Sequence, residues 1–312
     1  MRYAKRTALA GFLLIGLAAC SGGGGGDDRV QNGRLSLAIT DAPVDDATSV
    51  VVQFSGVAFK RAGAPAEVVQ NLTPATRQID LLQYQQGKAA LLLDGVTLPA
   101  GDYEWIRLIV DNQPGVRDSY IMRTTGEECE LRVPSGAESG LKLNRGFTLP
   151  ADGSVALTID FDLRKSVHAP PGQPSRSTDC TQGYLLRPTL RIVDNANVGA
   201  IVGTVDSALV TAACLPKVYV FSGAAVLPDD IEEQTAAPDV DPLLVASVAI
   251  QNGAIAYPYR AAFVPPGAYT VAFTCSDDDA TTDDVLTFLP PQSATVQANL
   301  LSTVDFAPSV AP

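Results

Sequence analysis

The chain has 312 residues, a length that suits two domains each able to bury a core, and 46% hydrophobic against 18% charged residues argues against a disordered protein. Its formal net charge is −12, with 34 Asp and Glu against 22 Lys and Arg. Such an acidic surface repels phosphate backbones, which argues against nucleic acid as a partner.

The chain opens on Arg2, Lys5 and Arg6, followed by an uncharged apolar run over residues 8–19 that ends Leu17-Ala18-Ala19-Cys20. That run is too short to span a bilayer, which needs ~20 residues, but it fits the basic start, short apolar stretch and small-residue cleavage site of a secretion signal. The Leu-Ala-Ala-Cys pattern resembles the lipobox of bacterial lipoproteins. The resemblance implies that residues 1–19 are a signal peptide and that Cys20 is acylated, becomes the first residue of the mature chain and anchors it in a lipid bilayer. Ser21 after the cysteine implies, by the same resemblance, the outer membrane of the cell envelope. Residues 20–32, with five consecutive glycines at 22–26 and an acidic pair at Asp27 and Asp28, read as a flexible tether.

Removal of residues 1–19 leaves 19 basic and 34 acidic residues, a balance of −15. The charge is unevenly spread: residues 20–198 hold 17 basic and 21 acidic groups, and residues 199–312 hold 2 and 13. We read the acidity of the second part as a contribution to solubility.

With Cys20 assigned to the anchor, four cysteines remain: Cys129, Cys180, Cys214 and Cys275. Four cysteines in an oxidising compartment allow three connectivities. A division of the chain near residue 198 favours Cys129 with Cys180 and Cys214 with Cys275, each bridge staying inside one domain. Loops of that length contribute roughly 4 kcal/mol apiece in the chain-entropy model. The absence of a C-x-x-C pair, with His168 the only histidine, argues against zinc.

From residue 34 onward the pattern is strands and turns. Leu35, Leu37 and Ile39 alternate with Ser36, Ala38 and Thr40 before the turn signal Asp41-Ala42-Pro43. Further β-rich runs lie at 49–60, 78–82, 89–93, 103–110, 141–149, 155–163 and 184–193, separated by Gly, Pro, Asn and Asp clusters. The fold class expected is all-β, two antiparallel β-sandwich domains in tandem over residues 33–195 and 199–306, with little helix.

The run 155–163 alternates cleanly. Val155, Leu157, Ile159, Phe161 and Leu163 point one way, and Ala156, Thr158, Asp160 and Asp162 the other. Two carboxylates on one face are candidates for acid/base hydrolysis or for a hard cation. The bland alternative, which we favour, is a solvent-facing strand with Arg164 and Lys165 as charge partners. Trp105 is a candidate sugar-stacking platform, but apolar residues on both sides of its pleat favour core packing.

The Leu-x-Leu-x-Ile-Thr-Asp-Ala-Pro opening (35–43), the Leu-Pro-Ala-Gly-Asp-Tyr turn (98–103), Ser-Gly-Leu-Lys (139–142), Leu-Thr-Ile-Asp-Phe-Asp-Leu (157–163) and Tyr-Leu-Leu-Arg-Pro-Thr-Leu-Arg (184–191) together resemble a domain-of-unknown-function family of bacterial lipoproteins, over about residues 33–195. That resemblance implies a secreted β-rich domain and carries over no catalytic residue.

Asp194-Asn-Ala-Asn197 is the natural boundary. Beyond it, the Gly-x-Ile-x-Gly-x-Val opening (199–205), the Gln-Asn-Gly turn (251–253) and Val-Pro-Pro-Gly-Ala-Tyr-Thr-Val (264–271) resemble the prealbumin-like sandwich of carboxypeptidase regulatory domains, with an acidic insertion at 224–242 as a departure. The turn Pro-x-Gly-x-Tyr occurs in both halves, at Pro99–Tyr103 and Pro265–Tyr269, and reads as a tight reversal into a strand.

A last candidate is the acidic loop at 276–284. Asp277, Asp278, Asp279, Asp283 and Asp284 are weak candidate calcium ligands, with Asp229, Asp230, Glu232 and Glu233 elsewhere in the same domain. The spacing of an EF-hand loop is absent, so a solvated loop without cofactor is the default. The whole points to a lipid-anchored envelope protein with a structural or recognition role, a protein or polysaccharide partner and no catalytic activity. The alternatives are a carbohydrate-binding surface lipoprotein and, last, a hydrolase using Asp160 and Asp162.

Overall fold

Four sheets account for the strands among the described residues. The computed structural model describes residues 31–41, 44, 46–111, 115–134, 140–174, 179–232 and 239–308. Residues 1–30, on which the expected signal peptide, the acylated Cys20 and most of the expected tether fall, and Glu233 lie outside the described residues.

The N-terminal region pairs a four-stranded with a ten-stranded sheet. The first has the order Leu190–Asp194, Ser154–Phe161, Asn32–Asp41, Ala90–Pro99. The second is built on the long strand Ala47–Arg61, which pairs with Gly101–Val110 on one side and with Tyr120–Arg123 and Arg77–Asp80 along its length. Leu35, Leu37, Ile159 and Phe161 from one sheet and Val52, Phe54, Phe59 and Leu108 from the other meet in a single hydrophobic cluster, which makes the pair a sandwich. The inward alternation of the long strand shifts parity between Phe54 and Val57, because a register break between Phe54 and Gly56 adds one residue there. The same device recurs between Tyr103 and Trp105, which face Arg61 and Lys60 with one residue to spare.

Pairing is mainly antiparallel, but Asn32–Asp41 runs parallel to Ser154–Phe161, with Leu35 opposite Val155 and Ile39 opposite Ile159. Strands this far apart in sequence are joined by a long excursion through the facing sheet, so nothing forces the antiparallel sense that a hairpin would. Two further parallel pairs are Tyr184–Leu186 with Glu128–Arg132 and Leu301–Thr303 with Gly199–Asp206.

The C-terminal region repeats the sandwich with a three-stranded sheet, Ala256–Val264, Gly199–Asp206, Leu301–Thr303, and a four-stranded one, Leu244–Ser247, Lys217–Ser222, Gly267–Thr274, Gln292–Val296. Ile201, Tyr259 and Val264 meet Val218, Val271 and Phe273 between them. Gly203 explains part of its opening motif: a Cβ there would stand 1.7 Å from the Val304 carbonyl oxygen, so no other residue fits that close approach. The four-stranded sheet is covered on its outer face as well, where Tyr219, Phe221, Ile231 and Ala280 form a second cluster. Burial on both faces is why residues 217–221 are all buried without alternation.

Both Pro-x-Gly-x-Tyr motifs are corners between sheets, which corrects the expected reversal. Strand Ala90–Pro99 lies in the four-stranded sheet and Gly101–Val110 in the ten-stranded one; Ala256–Val264 and Gly267–Thr274 are split in the same way. In each, the tyrosine hydroxyl donates to the carbonyl of the proline four residues upstream, Tyr103 to Pro99 and Tyr269 to Pro265, both at 2.7 Å. The same bond fixes both corners, as a tyrosine corner does in other sandwiches. Disulfides join Cys129 to Cys180 and Cys214 to Cys275. The regular helix among the described residues consists of three short 3₁₀ turns, of which Asn195–Asn197, capped by the Asp194 carboxylate, links the two regions. Residues 31–312 form one compact unit.

Candidate functional site

The seam between the two β regions gathers most of the chemistry that the sequence offers. Arg164, just past the strand Ser154–Phe161, projects into the outer cluster of the C-terminal region. Its Nη1 donates to Asp278 Oδ2 at 2.9 Å and to the Tyr219 hydroxyl oxygen at 3.1 Å, and the Tyr219 hydroxyl donates to the same Asp278 oxygen. The Arg164 and Asp278 side chains are 4% and 0% exposed, and Tyr219 is fully buried. Burial pushes the Tyr219 phenol well above its ordinary range, so it stays a hydrogen-bond donor. Nearby, Lys165 Nζ pairs with Asp241 Oδ2 at 2.5 Å in a wetter setting.

Asp160 does not use Arg164 or Lys165. Its Oδ2 pairs with Arg191 Nη2 at 2.5 Å across the strand pair, and Arg191 Nη1 donates to the Phe263 carbonyl at 3.0 Å in the C-terminal region. The expected solvent-facing strand is thereby corrected, and so are the expected partners of Asp160: that face lies against the C-terminal region, whose carboxylates pair with Arg164 and Lys165, while both cations still act on the charge of Asp162. Asp162 lies one residue past the strand, and burial raises its carboxyl to about 6 against the lowering effect of Lys165. Asp160 and Asp162 both line a cavity of about 90 Å³ closed by Leu243 and Leu244. A cavity of that size holds a few waters and is far below the ~300 Å³ at which ligand pockets begin.

The acidic loop is organised from within. Asp279 accepts from the backbone N and hydroxyl of Thr281, Asp277 Oδ1 accepts from the Asp278 N–H, and Asp284 Oδ2 accepts from the Asp279 N–H. Asp230, 2% exposed, accepts the Asp284 N–H on its Oδ2, and burial raises its carboxyl to about 6, helped by the neighbouring charges of Asp278, Asp229 and Glu232. Two triples of carboxylate oxygens lie within 4.8 Å, Asp230 with Asp278 and Asp284, and Asp230 with Glu232 and Asp283. Of the five candidate cation ligands in the loop, the structure brings Asp278, Asp283 and Asp284 to Asp230, whereas Asp277 and Asp279 belong to neither triple. Calcium takes six to eight oxygens, and Asp278 is already shared with Arg164 and Tyr219.

Trp105 is half-buried on the outer face of its strand, with the Lys142 ammonium 4.5 Å from its ring centroid. Core packing is corrected here: the register break beside Glu104 turns Tyr103, Ile106 and Leu108 inward and leaves Trp105 outside, a cation on one of its faces.

Residues 32–188, half of the chain, match the family model described as Domain of unknown function (DUF4382). The chain belongs to the DUF4382 family. No curated protein matches it. Similar solved structures are the Bacillus anthracis TIE protein (10% identity, TM-score 0.19, covering 88% of this chain and 33% of that one), the minor pilin GBS52 of Streptococcus agalactiae (8%, 0.19, 89% and 99%) and BcpA, the major pilin subunit of Bacillus cereus (14%, 0.19, 88% and 99%). The chain spans about a third of the length of the first. Within the DUF4382 chain, the Arg164, Tyr219 and Asp278 triad is the feature that sequence reasoning missed. Its only signals were a tyrosine inside an apolar run, whose hydroxyl needs a partner when buried, and an arginine at the end of a core strand.

Proposed function

We propose that this DUF4382 protein is a lipid-anchored component of the bacterial cell envelope, acylated at Cys20 and held at the outer membrane, in which two β regions act in structure or recognition of a protein or polysaccharide. The anchor reading is supported by the basic start, the apolar run 8–19 and the Leu17–Cys20 pattern. Acylation with two or three chains, at ~0.8 kcal/mol per buried CH₂, gives the stable attachment that one chain does not. A non-catalytic role is supported above all by the fate of the paired carboxylates: Asp160 is tied to Arg191, and the cavity it shares with Asp162 has room for water alone.

The test is labelling with radioactive palmitate, with and without globomycin, followed by fractionation. The anchored protein incorporates label, its processing is blocked by globomycin, and Cys20→Ala shifts it from the membrane to the soluble fraction. Normal export of Cys20→Ala with unchanged membrane retention overturns the proposal.

A further inference from the structure

On one side of the N-terminal sandwich the edge of the ten-stranded sheet is formed by Leu141–Leu143, which contacts Leu190–Asp194 at the edge of the four-stranded one, and by Phe147–Leu149 beside it. Between these edges runs a groove of about 420 Å³, inside the range of small-molecule sites and much larger than the cavities at the seam. Its apolar lining comes from Phe147, Val155, Leu157 and Val193, with Pro265 contributed by the C-terminal region. Phe147 and Val155 are only partly buried, so a ligand can reach them.

The charges around the groove are not equivalent. Arg191 is spent on Asp160 and the Phe263 carbonyl. Asp194 accepts the Ala196 N–H on one oxygen and the Asn197 side-chain amide on the other. Arg145 is exposed and makes no ion pair among the described residues. Among the described residues Arg145 is therefore the cation of the lining that no carboxylate pairs with, whereas Asp194, held by neutral donors, keeps its negative charge. We propose that this groove binds a small amphipathic anion, an apolar body bearing one carboxylate, with the body against Phe147, Val155 and Leu157 and the carboxylate on the Arg145 guanidinium. A guanidinium matches a carboxylate in bidentate geometry. An added peptide strand suits the site less, because edges of three and five residues offer few ladder bonds.

Isothermal titration calorimetry decides the matter on residues 27–312, which carry every described strand, both disulfides and all the hydrophobic clusters. Decanoate is the probe, with decanol and decyltrimethylammonium as controls of the same chain length. The expected result is saturable binding of decanoate at one site, at least tenfold tighter than decanol, and none of the ammonium. Arg145→Ala, a surface change that leaves the fold intact, weakens decanoate at least fivefold and leaves decanol unchanged; Val155→Trp, which fills the groove, abolishes both. No saturable heat with decanoate, equal affinity for decanoate and decanol, or decanoate binding untouched by Arg145→Ala each overturns the proposal. So does saturable binding of an extended peptide that protects the Ile192 amide from exchange while decanoate gives no response.

Discussion

The two β regions solve the same packing problem with unequal electrostatics. Both are sandwiches with one disulfide and one tyrosine-fixed corner. Yet residues 20–198 carry 17 basic and 21 acidic groups, whereas residues 199–312 carry 2 and 13. The seam shows what that difference does: Arg164 and Lys165 reach from the first region to Asp278 and Asp241 of the second, and Arg191 reaches the Phe263 carbonyl. Part of the acidity read as solubility is thus used to hold the regions together. The pairs are not equal in weight, because Arg164 and Asp278 are dry and Lys165 and Asp241 are partly wet.

That ranking can be broken at several points. Arg164→Ala leaves the buried Asp278 carboxylate without its cation and is expected to cost about 3–5 kcal/mol in urea denaturation, the largest effect of any single change at the seam. Asp162 offers a pH test. Its folded carboxyl, near 6, lies above the ordinary 3.8, so the native state binds a proton that the unfolded chain has lost. Its contribution is fully present below about 3.8 and is lost as pH rises through about 6; Asp230 acts in the same direction. Asp162→Asn, neutral at every pH, is expected to raise stability at pH 7 by on the order of 1–3 kcal/mol and to flatten the fall between pH 4 and 6. An unchanged slope would show that Asp162 titrates normally.

Smaller effects compare the regions directly. Tyr219→Phe removes one donor from Asp278 and is expected to cost about 1–3 kcal/mol. Tyr103→Phe and Tyr269→Phe each delete one corner bond, at about 0.5–1.5 kcal/mol, and near-equal losses are expected because the two bonds have the same length and spacing. Lys165→Ala closes the series at under ~1 kcal/mol; a loss matching Arg164→Ala would contradict the distinction between dry and wet pairs.

Much of the fold was legible in the sequence. Alternation in 35–39 and 155–163 marks strands with one face in the core, and the division of the chain at 194–197 sorts the four cysteines into the pairs observed. Three features were not. A one-residue register break, as beside Glu104, reverses every later side chain and leaves no mark in composition, which is why Trp105 was misplaced. The parallel pairing of Leu35 with Val155 depends on a long excursion that local pattern cannot orient. The partners of Asp160, Arg164 and Asp278 are set by the packing of one sandwich on another, with Arg164 and Asp278 114 positions apart. Charges near in sequence, such as Asp160 and Arg164, are the natural but wrong guess for pairing, since Asp160 pairs with Arg191.

The claim that the buried triad couples the two regions is tested most directly by following urea unfolding with two probes. Trp105 is the only tryptophan and lies in the N-terminal region, so its fluorescence reports that region alone, while far-UV circular dichroism reports both. The account predicts superimposable transitions for the wild-type protein and separated ones for Arg164→Ala, with the tryptophan transition no longer tracking the loss of total strand. Wild-type transitions that already differ, or Arg164→Ala transitions that still coincide, would contradict it.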